Sequence, residues 1–356
     1  MRLREVRLRP FRIPLRSGLR WGKGKVLAAL DHVLVEVHLD DGSVGRAEAA
    51  LRPTIYGETH ESLRGAVRWL EPLLRERDLS DPAVVRRVLD RLPCNHAAKA
   101  ALETALWEAR SRSRGVGLDE LLPLARDRVR VSFIVGQGEV EDVLRAAEFA
   151  YARGVRVFKL KTGGGGSDEA RILALRRAFP DAEVYVDANE TLQPCHAKKV
   201  LERWRELGVT MVEEPLPIEL VRDRQKLRDA GVLPLIADDS VFTMRDLWRE
   251  LELDTFDIAN VKPARTGICW SLGQLERVRV QGREAMIGSQ AMSSYGAARA
   301  ALLAFHAAVS RPSELAFHLL AEGGFAEFPP IKDGWLYRDD LRAVAFDPKA
   351  FRRYEV

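Results

Sequence analysis

Hydrophobic and polar positions change texture along the chain near residue 129. Before it, residues 3–13 and 32–39 alternate apolar and polar side chains as half-buried strands do, and Asp40-Asp41-Gly42-Ser43 supplies a hairpin turn into 44–48. Helical spacing follows at about 60–76, 81–91 and 96–113, with Ser80-Asp81-Pro82 and Asn95 as starts. Leu102, Ala105, Leu106 and Ala109 there form a plain core face. Beyond 129, short apolar strands alternate with amphipathic helices: 129–135, 155–161, 183–187, 209–213, 234–238, 256–262, 284–288 and 314–319. Strict alternation of this kind predicts an α/β fold with a parallel sheet covered by helices. About eight strands at steady spacing predict a closed barrel over an open doubly wound sheet. The first strand–helix connection has no G-x-G-x-x-G, which argues against dinucleotide binding.

Composition narrows the function classes. Of the 356 residues 46% are hydrophobic, enough for a large core in about two domains. The net charge of +4 is small beside 56 basic and 52 acidic residues, and the arginines are scattered, so no nucleic-acid partner is expected. Cys94, Cys195 and Cys269 are odd in number and far apart, which is neither a disulfide framework nor a zinc pattern and suits a reducing compartment. Charges and Pro10 and Pro14 interrupt the N-terminal apolar residues, and no later run is long enough to span a bilayer. A cytoplasmic protein with no membrane partner is the expectation.

The chemistry is concentrated where the barrel strands end. Active sites of such barrels lie at the C-terminal ends of the strands. Those ends read Lys159-Leu160-Lys161, Asp187-Ala188-Asn189, Glu213-Glu214, Asp238-Asp239 and Lys262, about one strand–helix unit apart. Asp187, Glu213 and Asp238 make a hard-oxygen set suited to Mg²⁺ or Mn²⁺, with positions left for a substrate carboxylate. Three carboxylates so placed would repel one another without a cation. In Lys159-x-Lys161 both side chains share one strand face. Neighbouring cations should disfavour full protonation, so that one lysine can act as a base near neutral pH. Lys262 would stand across the site as partner acid, base or clamp, while the cation stabilises the enediolate left when the α-proton departs.

These residues resemble the enolase superfamily, and within it the muconate-lactonizing-enzyme subgroup, over nearly the whole chain. The use of a lysine base with Mg²⁺ and an ene-diolate is that superfamily's known chemistry. The resemblance implies a modified TIM barrel, (β/α)₇β, spanning 126–322, under an N-terminal α+β capping domain spanning 1–125, with a segment 323–356 packing back on that domain. Lys159-x-Lys161 looks like the K-x-K motif, with Lys161 the acid/base and Lys159 its neighbour. Asp187, Glu213 and Asp238 match the metal ligands, Asn189 and Asp239 the residues behind them, and Lys262 the opposing lysine. The mandelate-racemase branch, with a His-Asp pair, is excluded by Lys262 and Gly288-Ser289. Met292 stands at a position that is acidic in many relatives, and 333–340 lacks the Gly-rich ending of the subgroup.

The resemblance also implies two lid segments, 17–25 and 50–59, holding Arg20, Trp21, Lys23, Arg52, Ile55 and Tyr56. Basic residues there would favour a substrate with a second anionic group. Gly163 to Gly166 read as a flexible loop rather than a phosphate cradle, and His306 and His318 as core. The expected partner is a small-molecule carboxylate substrate, and the resemblance implies a homo-oligomer. The expected reaction is racemisation or epimerisation of a dipeptide or N-acyl amino acid. Muconate-type cycloisomerisation and an o-succinylbenzoate-synthase-like elimination are the alternatives. A Schiff-base aldolase would leave the carboxylates without a task, and a non-catalytic relative rests only on Met292 and the tail.

Overall fold

The computed structural model describes residues 1–21, 25–163 and 167–356, leaving aside the side chain of Tyr56. Strands β1 (Leu3–Trp21), β2 (Lys25–Leu39) and β3 (Val44–Ala49) form an antiparallel sheet in that order. Of residues 17–25, read from sequence as a lid loop, those described, 17–21 and 25, are instead strand. Leu19, Arg20 and Trp21 pair with Leu27, Val26 and Lys25, after a register shift beyond Pro14. Lys23 lies outside the described residues. The helices α1 (Pro53–Tyr56), α2 (His60–Arg75), α3 (Pro82–Leu89) and α4 (His96–Ser113) follow. Their starts are set by local chemistry: Thr59 and Ser62 cap α2 reciprocally, and Asp81 with Pro82 opens α3. Helix α4 is buried on most sides, rich in alanine, and packs between β3 and the barrel.

The second texture begins with β4 (Arg128–Arg130), β5 (Phe133–Val135), α5 (Val140–Tyr151), β6 (Val157–Lys161), α6 (Ser167–Ala178), β7 (Glu183–Asp187) and α7 (Pro194–Glu206). It continues through β8 (Val209–Glu213), α8 (Val221–Asp229), β9 (Leu235–Ala237), α9 (Met244–Leu253), β10 (Ile258–Val261), α10 (Pro263–Val280), β11 (Glu284–Ile287) and α11 (Ser294–Leu303). Strands β5 to β11 form one curled parallel sheet in sequence order, with helices on its outer face.

Two expected strands differ. The run 129–135 divides, because β4 leaves the barrel to pair with β12 (Trp335–Tyr337) of the tail. The run 314–319 is not extended. Ser313 and Glu314 bridge the last gap, with Ser132 N donating to Ser313 O at 2.8 Å and Glu314 N to Ile287 O at 2.8 Å, and Phe317–Leu320 coils into a 3₁₀ turn. Leu315, Ala316 and Phe317 are all buried, and a continuous apolar run does not by itself distinguish strand from turn. In the tail, Tyr354 O accepts from Arg12 N at 2.8 Å, and Phe11 meets Phe325 and Phe351 edge-on.

Inside the barrel, Val157, Tyr185, Met211, Ile236, Ile258 and Met286 form a separate buried cluster, one residue from each of six strands. This layer is the floor on which the site stands.

Candidate active site

Strand geometry builds the site from that floor. Side chains two residues apart share a face, so the next layer up is Lys159, Asp187, Glu213, Asp238, Asn260 and Gly288. The layer above that begins with Lys161 and Lys262. Gly288 is needed: a Cβ there would run into Asn260 Oδ1 and lie 2.8 Å from Lys262 Cε. The turns leaving the strands are held at positive φ, at Asn189 (45°), Glu190 (64°), Glu214 (36°) and Ala291 (55°). Such backbone persists only where packing over-determines it, and it gathers here at the barrel mouth.

Opposite charges interlock throughout the second layer. Lys159, fully buried, donates to Glu213 Oε1 at 2.6 Å and to Glu314 Oε1 at 2.5 Å, and lies 3.0 Å from Asp187 Oδ2. Lys161 donates to Asp187 Oδ2 at 2.5 Å, and Lys262 is paired with Asp238. Arg265 Nη2 lies 3.2 Å from Asp238 Oδ1 and donates to Asp238 O at 2.6 Å, and its Nη1 donates to Asp239 Oδ1 at 3.2 Å. Burial opposes the charge on Lys159, but Asp187, Glu213 and Glu314 outweigh it and hold its pKa well above the ordinary range. Lys262 is raised in the same way, with Asp238 outweighing burial. Against their burial, Asp187 is lowered by Lys159 and Lys161, and Asp238 by Lys262 and Arg265. Glu213 goes the other way, pushed up by burial and by Asp187. The nearest charged neighbours of Lys159 and Lys262 are thus carboxylates rather than other ammonium groups.

A cavity of about 110 Å³ opens above these groups, lined by Lys161, Lys262, Asp238 and Asn189 from the barrel and by Trp21, Arg52 and Ile55 from the other domain. Asn189 N donates to Asp187 Oδ1 at 2.9 Å. Of the expected lid residues, Arg20 does not join them. Its side chain is exposed and lines a neighbouring groove, since strand alternation sends Leu19 and Trp21 inward and Arg20 out. Arg52 reaches the cavity, but its guanidinium is already engaged by His32 at 2.8 Å, Leu51 O at 2.5 Å, Ala291 O at 3.1 Å and Gln290 O. It joins the two domains. Met292 packs with Ala50 and Ala297 away from this cavity, so the departure at that position does not face it. Sequence reading missed Glu314, Asn260 and Arg265. Arg265 could have been found, standing three residues after Lys262 on a helix, but Glu314 comes from the segment that is not a strand.

The donor set fits a hard divalent cation in kind: Asp187, Glu213 and Asp238 offer only carboxylate oxygens, and Asp238 Oδ1 is buried without a hydrogen bond. Among the described residues no three acidic, histidine or cysteine side chains are gathered as a finished cage. Lys161 holds Asp187 and Lys262 holds Asp238, so these ammonium groups have to turn aside for the carboxylates to converge.

A capped, curled parallel sheet with lysines and carboxylates at its mouth defines a class of barrel enzymes. The profile described as "Enolase C-terminal domain-like" matches residues 142–341, and that of the "Mandelate racemase / muconate lactonizing enzyme, N-terminal domain" matches 22–123. The chain belongs to the mandelate racemase/muconate lactonizing enzyme family and is an enzyme of the enolase superfamily. An L-Ala-D/L-Glu epimerase of Bacillus subtilis (strain 168) is 28% identical over 82% of this chain and 81% of that protein. An N-succinylamino acid racemase of Thermus thermophilus is 31% identical over 75% of this chain and 72% of its own length. The crystal structure of a muconate lactonizing enzyme from "Mucobacterium Smegmatis" with muconolactone superposes over all of both chains with a TM-score of 0.93 at 31% identity. Members of the family are generally dependent on a divalent metal, and the relatives act on small carboxylates. Among the described residues no helix is long and apolar enough to cross a membrane.

Proposed function

We propose that this protein removes and returns the α-proton of a small carboxylate substrate, as a racemase or epimerase of dipeptides or N-acyl amino acids. One observation carries the reading: Lys161 and Lys262, from strand ends four positions apart in the sheet, line one small cavity. A divalent cation bound by Asp187, Glu213 and Asp238 would lend positive charge to the substrate carboxylate as the proton leaves. Released from its carboxylate, Lys161 in its neutral amine form takes the proton from one face and becomes the ammonium, while the Lys262 ammonium, released from Asp238, gives a proton to the other face and becomes the amine. Lys159 stays charged beside Glu213 and Glu314 and steadies the layer beneath. Trp21 and Ile55 exclude water from above. Asn189 and Asp239 hold the ligand-bearing turns. The epimerase and the racemase among the relatives support this reading.

The full-length match to a muconate lactonizing enzyme supports a second reading, cycloisomerisation of a dicarboxylate, in which one lysine suffices. Exchange of the α-proton in D₂O with Mg²⁺, followed by NMR against pooled dipeptides, N-acyl amino acids and muconates, separates the two. The expected result is metal-dependent exchange in which Lys161→Ala abolishes reaction of one stereoisomer and Lys262→Ala that of the other. Lactone formation from muconates without exchange of any amino-acid derivative would replace it with the second reading.

A further inference from the structure

Where β5 ends, Gln137 makes two hydrogen bonds in opposite directions. Its backbone N donates to Arg20 O, on the β1 arm, at 2.8 Å. Its side-chain Nε2 donates to Thr162 O at 2.8 Å, and a carbonyl partner can only accept, so the amide orientation follows. Thr162 directly follows Lys161. Its N and Oγ1 both donate to Asp187 O, at 2.9 and 3.1 Å. The β5–β6 ladder runs in register from Phe133↔Phe158 to Val135↔Leu160, and its continuation would set Gln137 beside Thr162. The side chain thus extends the pairing one step past Lys161, where the backbone ladder has stopped.

Gly136 makes the approach of the arm possible. A Cβ there would lie 3.0 Å from Leu19 Cδ1 and 3.1 and 3.2 Å from Arg20 O and N, closer than such contacts ordinarily come. Leu19 and Ile134 form the wall behind, shared between the site cavity and a larger neighbouring groove of about 550 Å³ that Gln137 also lines. One half-buried residue therefore fastens the arm that covers the site to the strand end that carries Lys161.

We propose that Gln137 is a positioning residue that sets the placement of the β1 arm and of Lys161 together. The inference rests on the reading of Lys161 as a base, but its first test does not. Gln137→Ala keeps the backbone bond to Arg20 and removes only the one to Thr162, Gln137→Glu replaces the donor by an acceptor facing a carbonyl, and Gly136→Ala presses on the arm. Hydrogen–deuterium exchange by mass spectrometry on the purified protein reads peptides covering 15–21 and 157–163. The expected result is an exchange rate raised about fivefold or more in both segments in all three variants, with the unfolding midpoint only slightly lowered, since the loss in the Gln137 variants is of about one hydrogen bond. Faster exchange confined to the vicinity of residue 137 overturns the proposal. With a substrate in hand, Gln137→Ala and Gln137→Glu lower kcat by about tenfold, the worth of one hydrogen bond, and Gly136→Ala acts mainly on KM. Wild-type kcat in both Gln137 variants overturns it as well. Coupled exchange in a protein that moves no α-proton retains the fastening and refutes the proposed reaction instead.

Discussion

A buried ammonium is costly unless carboxylates surround it, and Lys159 meets three. Glu314 is the one that comes from outside the parallel sheet, and it is held in turn by Ser289 N at 2.7 Å and Asn260 Nδ2 at 3.3 Å. Its carboxylate therefore ties the closing segment of the barrel to the layer that would hold the cation. Glu314→Gln keeps the volume but removes one charge from Lys159 and turns an amide donor toward either Lys159 or Ser289. Breaking a buried ionic contact of this type costs about 3 kcal/mol. The variant should unfold at a clearly lower denaturant concentration and lose at least about tenfold in α-proton exchange. Unchanged values for both would mean that Glu213 and Asp187 alone suffice.

At the scale of elements, α10 shows how one domain shapes a strand end of the other. The helix starts directly after Lys262 and is broken at Gly267 (φ 72°, ψ −177°). Glu103 of α4 accepts from Cys269 N at 2.8 Å and so caps the second stretch, and Arg86 braces it at 3.2 Å. A Cβ on Gly267 would lie 3.0 Å from Glu103 Cδ and meet its oxygen more closely still. Gly267→Ala should therefore destabilise by about 2–4 kcal/mol, from left-handed backbone and the clash together. Thermal and denaturant unfolding would check it, and a wild-type midpoint would count against it. Nothing in the sequence announces this break, because Gly267 lies in an ordinary helical pattern and its partner is 164 positions away in numbering. The parallel strands were legible for the opposite reason: period two and strand-by-strand spacing are local, and they also bring Lys159, Asp187, Glu213 and Asp238 into one layer. The eighth strand was not legible, since Ser313 and Glu314 bridge by two residues at the head of a largely apolar run that then coils. Nor was the outward turn of Arg20, which depends on where the β1–β2 register shifts.

For the molecule as a whole, buried ionisable groups pull the pH dependence of stability both ways. His318 lies against Phe328, its ring centroid 4.0 Å away, and burial lowers its pKa to about 4. The folded protein then refuses a proton that the unfolded chain accepts below about 6.5. Its contribution to stability is complete above that value and is lost as pH falls from about 6.5 to about 4. His96, lowered to about 4 by burial and by Lys99, behaves alike. Glu103 is raised by burial, with Arg86 opposing. An acid of this kind contributes fully below its ordinary carboxylate value, and that contribution is lost as pH rises toward the folded value. The slopes oppose each other between about pH 4.5 and 6.5, so these groups partly mask one another there, and single substitutions should unmask each. His318→Phe removes one falling term. Its stability relative to wild type should improve by about 2 kcal/mol between pH 7 and 4.5. Glu103→Gln removes the term of opposite sign, and its relative stability should worsen over the same interval. Denaturant unfolding of the three proteins across that range reads both differences directly. Parallel curves for all three would show that these groups titrate alike in the folded and unfolded chain, so that their burial is relieved by water or by local opening before the fold gives way.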